Sequence, residues 1–198
     1  MKQTLKEILI FVSQILVFPL ALLSILENRL WNGNAEVMFL TCAQIVAILP
    51  GLPGAFLRRA YYSLTLKSCS NHCHIGFGTL ISHRQTIILD HVYIGNYALI
   101  GSAYLGSHTL IGSRASILSG KPLHVLDDEG MWTPYSTERL SMVHIDKNVW
   151  IGEGAIILAD IGEGCMIGAG SVVTSNLKPN ITVSGNPARF VKHLGGKE

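Results

Sequence analysis

A six-residue spacing constrains this chain more than any other feature. Aliphatic residues return at Ile75, Ile81 and Ile87, then at Ile94 and Ile100, and after one short step at Leu105, Ile111 and Ile117. The count resumes at Ile145, Ile151 and Ile157, resets at Ile161, and ends with Ile167 and Val173. Glycine follows many of them, at 76, 95, 101, 106, 112, 152, 162 and 168. A helix repeats near 3.6 and a half-buried strand near two, so neither produces this pattern. A fixed repeat predicts a solenoid. One short strand and one tight turn consume a repeat, and three repeats close a triangular coil. The aliphatic residue points inward and stacks on its copies in neighbouring coils. The small residues are expected at the corners, where a positive φ makes a Cβ costly.

The 198 residues suffice for one such domain and an appendage. Hydrophobic residues make up 48% and charged residues only 14%, and the apolar excess lies at the front. Residues 8–26 carry no charge and nearly reach the roughly 20 residues that span a bilayer. A second uncharged run, 37–57, is interrupted by Pro50, Gly51, Pro53 and Gly54, so only its part up to Leu49 reads as helix. Asn32, Gly33 and Asn34 form the bend between the two runs. Residues 1–67 therefore read as a membrane-associated apolar helical hairpin. The alternative is a helical pair packed on its own domain or buried in an oligomer. Lys2 and Lys6 precede the first run, Arg58 and Arg59 follow the second, and Arg29 in the bend is offset by Glu27 and Glu36. By the positive-inside rule both ends face the cytoplasm, so the expected location is the cytoplasmic face of the inner membrane with the hairpin inserted. No small-x-small cleavage site follows the first run, which argues against a cleaved signal.

A net charge of +2 without basic runs gives no reason to expect a nucleic-acid partner. The spacing of Cys42, Cys69, Cys73 and Cys165 suggests no disulfide framework. Cys69, His72, Cys73 and His74 crowd into "CSNHCHIG", but a closed zinc site takes ligands from separated pairs and no second pair follows, so no metal is expected. The repeat domain then covers residues 68–192, an excursion loop occupies 119–143, and 193–198 form a tail.

The pieces "VWIGEGA", "IGAGSVVT" and "GNPAR" lie within residues 148–192. With the repeat, they resemble the hexapeptide-repeat acyltransferase family, in its branch of sugar and xenobiotic O-acetyltransferases. The resemblance covers roughly residues 68–192. It implies an all-β, left-handed parallel β-helix, preceded here by the apolar hairpin, working as a homotrimer with sites between subunits. It also implies acetyl-CoA as donor. The pantetheine arm is an extended amide chain that lies along exposed backbone where small residues allow approach. By resemblance, Gly152 and Ala169 take that role, Trp150 lines the groove and Thr174 follows at the coil edge. Arg189 and Lys192 match positions that meet the nucleotide phosphates. Relatives often carry Lys or Arg after the threonine, where this chain has Ser175, so the resemblance does not carry that phosphate contact over, and either affinity for the cofactor is weaker or other residues compensate.

In this family an excursion loop carries the catalytic histidine, and His124 is the only histidine in the loop here. Its implied role is general base, taking the proton of an acceptor hydroxyl as that hydroxyl attacks the thioester carbonyl. A backbone N–H would then stabilise the oxyanion. Asp127, Asp128 and Glu129 either orient the imidazole or form a solvated acidic turn. His83 and His144 are further candidates for the cleft, whereas His91 and His108 read as corner residues. The implied acceptor is a sugar, and the apolar front points to a lipid-linked glycan in polysaccharide biosynthesis. Other readings stay open: an amine acceptor, a carrier-protein donor, or a non-catalytic scaffold, which would need neither "GNPAR" nor a His-bearing loop. A γ-type carbonic anhydrase needs two histidines five residues apart, and this chain has no such pair.

Overall fold

Each repeat forms a strand of two or three residues and a tight corner, and three repeats close one coil. The computed structural model describes residues 2–119, 125–133 and 140–195. Coil one contains β1 (Ser68–Cys69), β2 (His74–Ile75) and β3 (Leu80–Ile81). Coil two contains β4 (Ile87–Ile88), β5 (Tyr93–Ile94) and β6 (Leu99–Ile100), and coil three β7 (Ala103–Leu105), β8 (Leu110–Ile111) and β9 (Ser116–Ile117). Coil four contains β10 (Val143–Ile145), β11 (Trp150–Ile151) and β12 (Ile156–Ile157). In coil five Ile161 bridges in place of a strand, followed by β13 (Met166–Ile167) and β14 (Val172–Val173). Coil six runs from a bridge at Leu177 into β15 (Ile181–Ser184), and β16 (Arg189–His193) folds back antiparallel on it. The first strands of the coils stack as sheet A, the second as sheet B and the third as sheet C. All pairings between coils are parallel, as a solenoid requires.

The inward column matches the repeat at all but one expected position. Ile75, Ile94, Ile111, Ile151 and Ile167 stack under sheet B, and Ile81, Ile100, Ile117, Ile157 and Val173 under sheet C, all essentially inaccessible. The exception is Ile87, which is only half-buried, while Ile88 fills the core and pairs with Leu105. The step from Ile81 is therefore seven residues, and the extra residue lies in the corner 82–86. That corner meets the N-terminal helices, as described below. Cys73 and Cys165 sit in a second inward column with Val92, Thr109 and Val149, where a thiol acts as a small apolar group.

The corner glycines have a different cause from the one expected. Those at 76, 95, 112 and 152 do not lie at positive φ. A Cβ on Gly95 would come within 2.5 Å of the Ser113 nitrogen, and one on Gly152 within 2.5 Å of the Ala169 nitrogen. They are small because the next coil passes directly against them. Positive φ falls two residues later, at Gly78, Tyr97, Arg114, Gly154 and Gly170.

Three helices, rather than the two of the hairpin alone, precede the solenoid. They are α1 (Lys2–Leu30), α2 (Val37–Ala47) and α3 (Gly51–Thr65). The sequence "PGLPG" ends α2, as expected, and then starts α3. Pro53 sits in the first turn, where no intrahelical N–H is required. α3 packs between α1 and the first coil. Ile10, Ser13, Val17, Ala21, Ser24 and Glu27 form the buried stripe of α1. The Ser24 and Tyr61 hydroxyls lie 2.6 Å apart, and Tyr61 donates to the Phe39 carbonyl (2.8 Å).

Arg58 and Arg59 are not exposed basic residues flanking a membrane run, which removes them from the positive-inside argument. Arg58 is buried and donates from Nε to the Ile75 carbonyl (3.0 Å) and from Nη1 to the Leu49 carbonyl (2.6 Å). Arg59 is buried beside it and donates to the Cys73 carbonyl (3.4 Å). The Ile81 N–H donates to the Tyr62 hydroxyl (3.0 Å), and the Gly78 N–H to the Ala47 carbonyl (2.9 Å). The helices are thus a cap on the first coil.

Two alanine substitutions separate the two glycine roles. Gly95→Ala drives a methyl into backbone and should cost at least the 1–3 kcal/mol typical of overpacking. Gly154→Ala meets no atom within 4 Å but keeps a left-handed backbone, and should cost about 1–2 kcal/mol. Urea denaturation of both variants should rank Gly95→Ala as the less stable.

Candidate functional site

The C-to-A edge of the solenoid collects the chemistry. On coils one and two it carries Ser82, His83, Arg84, Gln85 and Ser102, and across from them lies the α1–α2 bend. Between these elements is a cavity of about 920 Å³, lined also by Asn28, Asn34 and Glu36. The excursion loop leaves this edge after Ser119, whose hydroxyl accepts the Ser102 N–H (2.8 Å). It returns through Leu140 and Met142, which line the cavity wall. The loop is therefore rooted at a mixed pocket, in which Val37, Leu40, Leu140 and Met142 form apolar wall and Asn28, Asn34, Gln85, Glu36 and His83 supply polar groups able to meet hydroxyls.

Glu36 lines this pocket, and Glu27 holds Arg84, which also lines it. Glu36 lies 2.7 Å from His83 Nδ1 and accepts the Arg84 backbone N–H (2.8 Å). Glu27 is almost fully buried and accepts from the Met38 N–H (2.7 Å), the Phe39 N–H (3.1 Å) and Arg84 Nη2 (2.6 Å). The first two are free N–H groups at the start of α2, so a side chain of α1 caps its neighbour. Burial pushes the Glu27 carboxyl up, but the two backbone donors and the guanidinium outweigh it and hold it below its ordinary value. Arg84 also lies 4.7 Å over the Phe39 ring. The sequence reading set Glu27 and Glu36 against Arg29; their partners are instead Arg84 and His83 in the lengthened corner.

The expected donor residues lie on coils four to six. Gly152 and Ala169 are adjacent across the B-to-C corner, where the Gly152 N–H donates to the Ile167 carbonyl (2.8 Å). The "GNPAR" segment joins them. Val172 donates to the Gly185 carbonyl (2.9 Å), Ala188 donates to the Val172 carbonyl (2.8 Å), and the Asn186–Pro187 bond is cis. Arg189 and Lys192 follow on exposed β16, with the Arg189 guanidinium resting on the Ala188 carbonyl (3.1 Å). Trp150 is exposed at the start of β11, paired with Leu110 and Met166 on the outer face of sheet B. Thr174 is exposed where sheet C turns toward the C-to-A edge. Sheet C, with Leu99 and Ile156 exposed on its outer face, lies between the small-residue corner and the pocket edge.

His124 lies outside the described residues. Its loop neighbours 125–133 form a small hairpin bridged at Leu126 and Trp132. The Asp127 carboxylate accepts the N–H groups of Glu129 (3.0 Å) and Met131 (2.9 Å), so it shapes the hairpin turn. His91 and His108 stack at an outer corner with centroids 4.8 Å apart, and His144 stacks on Tyr104. The Cys69 and Cys73 sulfurs lie 3.8 Å apart. The hydrogen bond between them lifts the Cys69 thiol and lowers that of Cys73. Among the described residues, no group of three or more His, Cys, Asp and Glu side chains is placed to hold a metal.

Residues 142–175 match a family profile described as "Hexapeptide repeat of succinyl-transferase". A solved maltose O-acetyltransferase from Clostridium difficile 630 has the same fold, with a TM-score of 0.69 over 81% of this chain and 87% of that one, at 22% identity. The chain has the hexapeptide-repeat solenoid fold. A galactoside acetyltransferase solved with coenzyme A shares the hexapeptide-repeat fold at a TM-score of 0.61, 18% identical over 81% of each chain. Galactoside O-acetyltransferase of Escherichia coli K12 is 28% identical over 135 residues, which is 66% of this chain and 59% of that protein. An acetyltransferase-like protein of Schizosaccharomyces pombe is 46% identical over 54 residues, which is 26% of this chain and 26% of that protein.

The Glu27 carboxyl has an acid signature that can be measured. Its folded value lies below its ordinary 4.5, so its contribution to stability is complete above that value and is lost as the pH falls through the folded one. Urea denaturation should show stability falling as the pH drops below 4.5 and through the folded value of this carboxyl. Glu27→Gln strands Arg84 and should destabilise the protein at neutral pH by up to about 3–5 kcal/mol, with a flatter acid dependence.

Proposed function

We propose that the chain is an acetyltransferase that moves acetyl from acetyl-CoA to a hydroxyl of a sugar, acting as a homotrimer on the cytoplasmic side of a membrane. The observation that carries this reading is the excursion loop rooted at a hydroxyl-suited cavity, on the same solenoid as the small-residue corner of Gly152 and Ala169. The kinship with the E. coli galactoside O-acetyltransferase supports it, as does the fold shared with a coenzyme A-bound acetyltransferase.

In this reading the acceptor sits in the cavity. The amides of Asn28, Asn34 and Gln85 and the Glu36 carboxylate hold its hydroxyls. The pantetheine arm lies against the corner at Gly152 and Ala169, flanked by Trp150 and Thr174. Arg189 and Lys192 on β16 meet the phosphates. His124 takes the proton of the acceptor hydroxyl, the oxygen attacks the thioester carbonyl, and a backbone N–H stabilises the oxyanion. The C–S bond breaks, the imidazolium returns the proton to sulfur, and an ester and a free thiol leave. No covalent enzyme intermediate is needed. Glu36 fixes the neighbouring His83 ring and so shapes the acceptor wall rather than serving as base.

Calorimetry of the purified chain with acetyl-CoA is the direct test. Saturable binding is expected, weakened about tenfold by Arg189→Ala through the loss of charge-assisted hydrogen bonds. His124→Ala should leave binding intact and cut turnover with a sugar acceptor by about a hundredfold or more. Absence of acetyl-CoA binding by the wild type would instead favour a carrier-protein donor or a scaffold.

A further inference from the structure

Helix α1 is inverted relative to a helix of a soluble protein. Its inward face carries the hydrogen-bonding side chains: Gln14 donates to Ser63 (3.2 Å), Ser24 meets Tyr61, and Glu27 meets Arg84. Its outward face carries Phe11, Ile15, Leu16, Phe18, Leu22 and Leu23, all exposed. From Ile8 to Leu26 no charged side chain interrupts this stripe. It continues through Leu30 at the end of the helix and beyond it through Trp31, Val37 and Met38. Monomeric soluble proteins rarely leave an apolar surface of this extent open.

We propose that this stripe lies in the plane of a lipid bilayer, so that the protein rests on one leaflet and does not span it. Two observations select this arrangement. A protein partner would offer about one hydrogen bond per 100–200 Å² of interface, and the outward stripe offers no strong donor or acceptor side chain to meet one. Hydrocarbon requires none. A spanning helix, in contrast, must sit inside a hydrocarbon core of about 30 Å. The buried stripe of α1 runs from Ile10 to Glu27 against α3 and the Glu27–Arg84 pair, so crossing would carry α3 and a buried ion pair into lipid. Lying flat, the 29-residue helix covers about 43 Å of surface. Arg29 at one end is exposed and can reach headgroups, while Lys6 at the other end, also exposed, lies 3.4 Å from His72 Nδ1 of the first coil. Trp31, exposed beside Arg29, belongs at the interface.

This geometry also gives the cavity a direction. Asn28, Asn34 and Val37 line its rim, and Leu30, Trp31, Val37 and Met38 belong to the apolar surface at the same bend. The pocket therefore opens beside the lipid surface, where a sugar on a lipid carrier would reach it. That consequence rests on the acetyl-transfer reading, whereas the lipid contact does not.

The test is flotation of the full chain with vesicles of phosphatidylethanolamine and phosphatidylglycerol. Wild type should float, and the double variant Leu16→Glu, Phe18→Glu should float at least tenfold less while keeping its circular dichroism spectrum. In sealed membranes of expressing cells, Lys6→Cys and Arg29→Cys should react with an impermeant maleimide from the same side, above the labelling of the unsubstituted chain. Labelling from opposite sides would mean a span and overturn the proposal. So would wild type that fails to float, or a double variant that floats normally but has a smaller oligomeric mass, since the stripe would then be a subunit contact. Acetyl-CoA binding measured on the same samples separates failure of this proposal from failure of the catalytic one.

Discussion

A stack of parallel coils satisfies its own backbone everywhere except at its two ends. Each interior strand has a neighbour on both sides, but β2 and β3 of the first coil have one only, and an open edge of this kind invites pairing with other chains. The helical cap closes it with side chains. Arg58 takes the Ile75 carbonyl, Tyr62 accepts from Ile81, and the end of α2 accepts from Gly78. At the other end β16 folds back on β15. The cap is thus a requirement of the solenoid, and the position of α1, its exposed apolar stripe and the pocket wall all follow from it.

The cap in turn explains an irregularity in the repeat. The corner after β3 is one residue longer than its period, and this corner bears His83 and Arg84. Their side chains reach back to Glu36 and Glu27. A strict six-residue corner would keep the column in phase but would lack the projecting bulge that engages the α1–α2 bend. The same bulge walls the cavity, so one insertion joins helices to solenoid and shapes a binding surface.

Much of this was legible in the sequence because the solenoid is local in character. A residue six positions away occupies the equivalent place on the next face, so periodicity reports packing directly, and the column, the loop and the corner at Gly152 and Ala169 could be read from spacing and resemblance. What could not be read were contacts between distant segments. Arg58 and Arg59 look like residues flanking a membrane run until α3, which carries them, is seen to pack them against the first coil. Glu27 looks like a bend charge until it meets Arg84, 57 residues away. Ile87 and Ile88 are chemically equivalent, and only pairing with Leu105 decides which one faces inward. The glycines were located correctly for the wrong reason, since their backbone is ordinary and the crowding comes from the next coil.

The solenoid also acts as a ruler with fixed graduations. Neighbouring coils are separated by one strand spacing, about 4.8 Å, and no half-step exists. Along the solenoid axis, the cavity on coils one and two and the Gly152–Ala169 corner on coils four and five are about three graduations or 14 Å apart, and the width of sheet C adds to that separation. Gradual change in sequence cannot stretch that interval. It can change only by gain or loss of an entire coil, so the reach demanded of any molecule that bridges the two places is set in whole numbers.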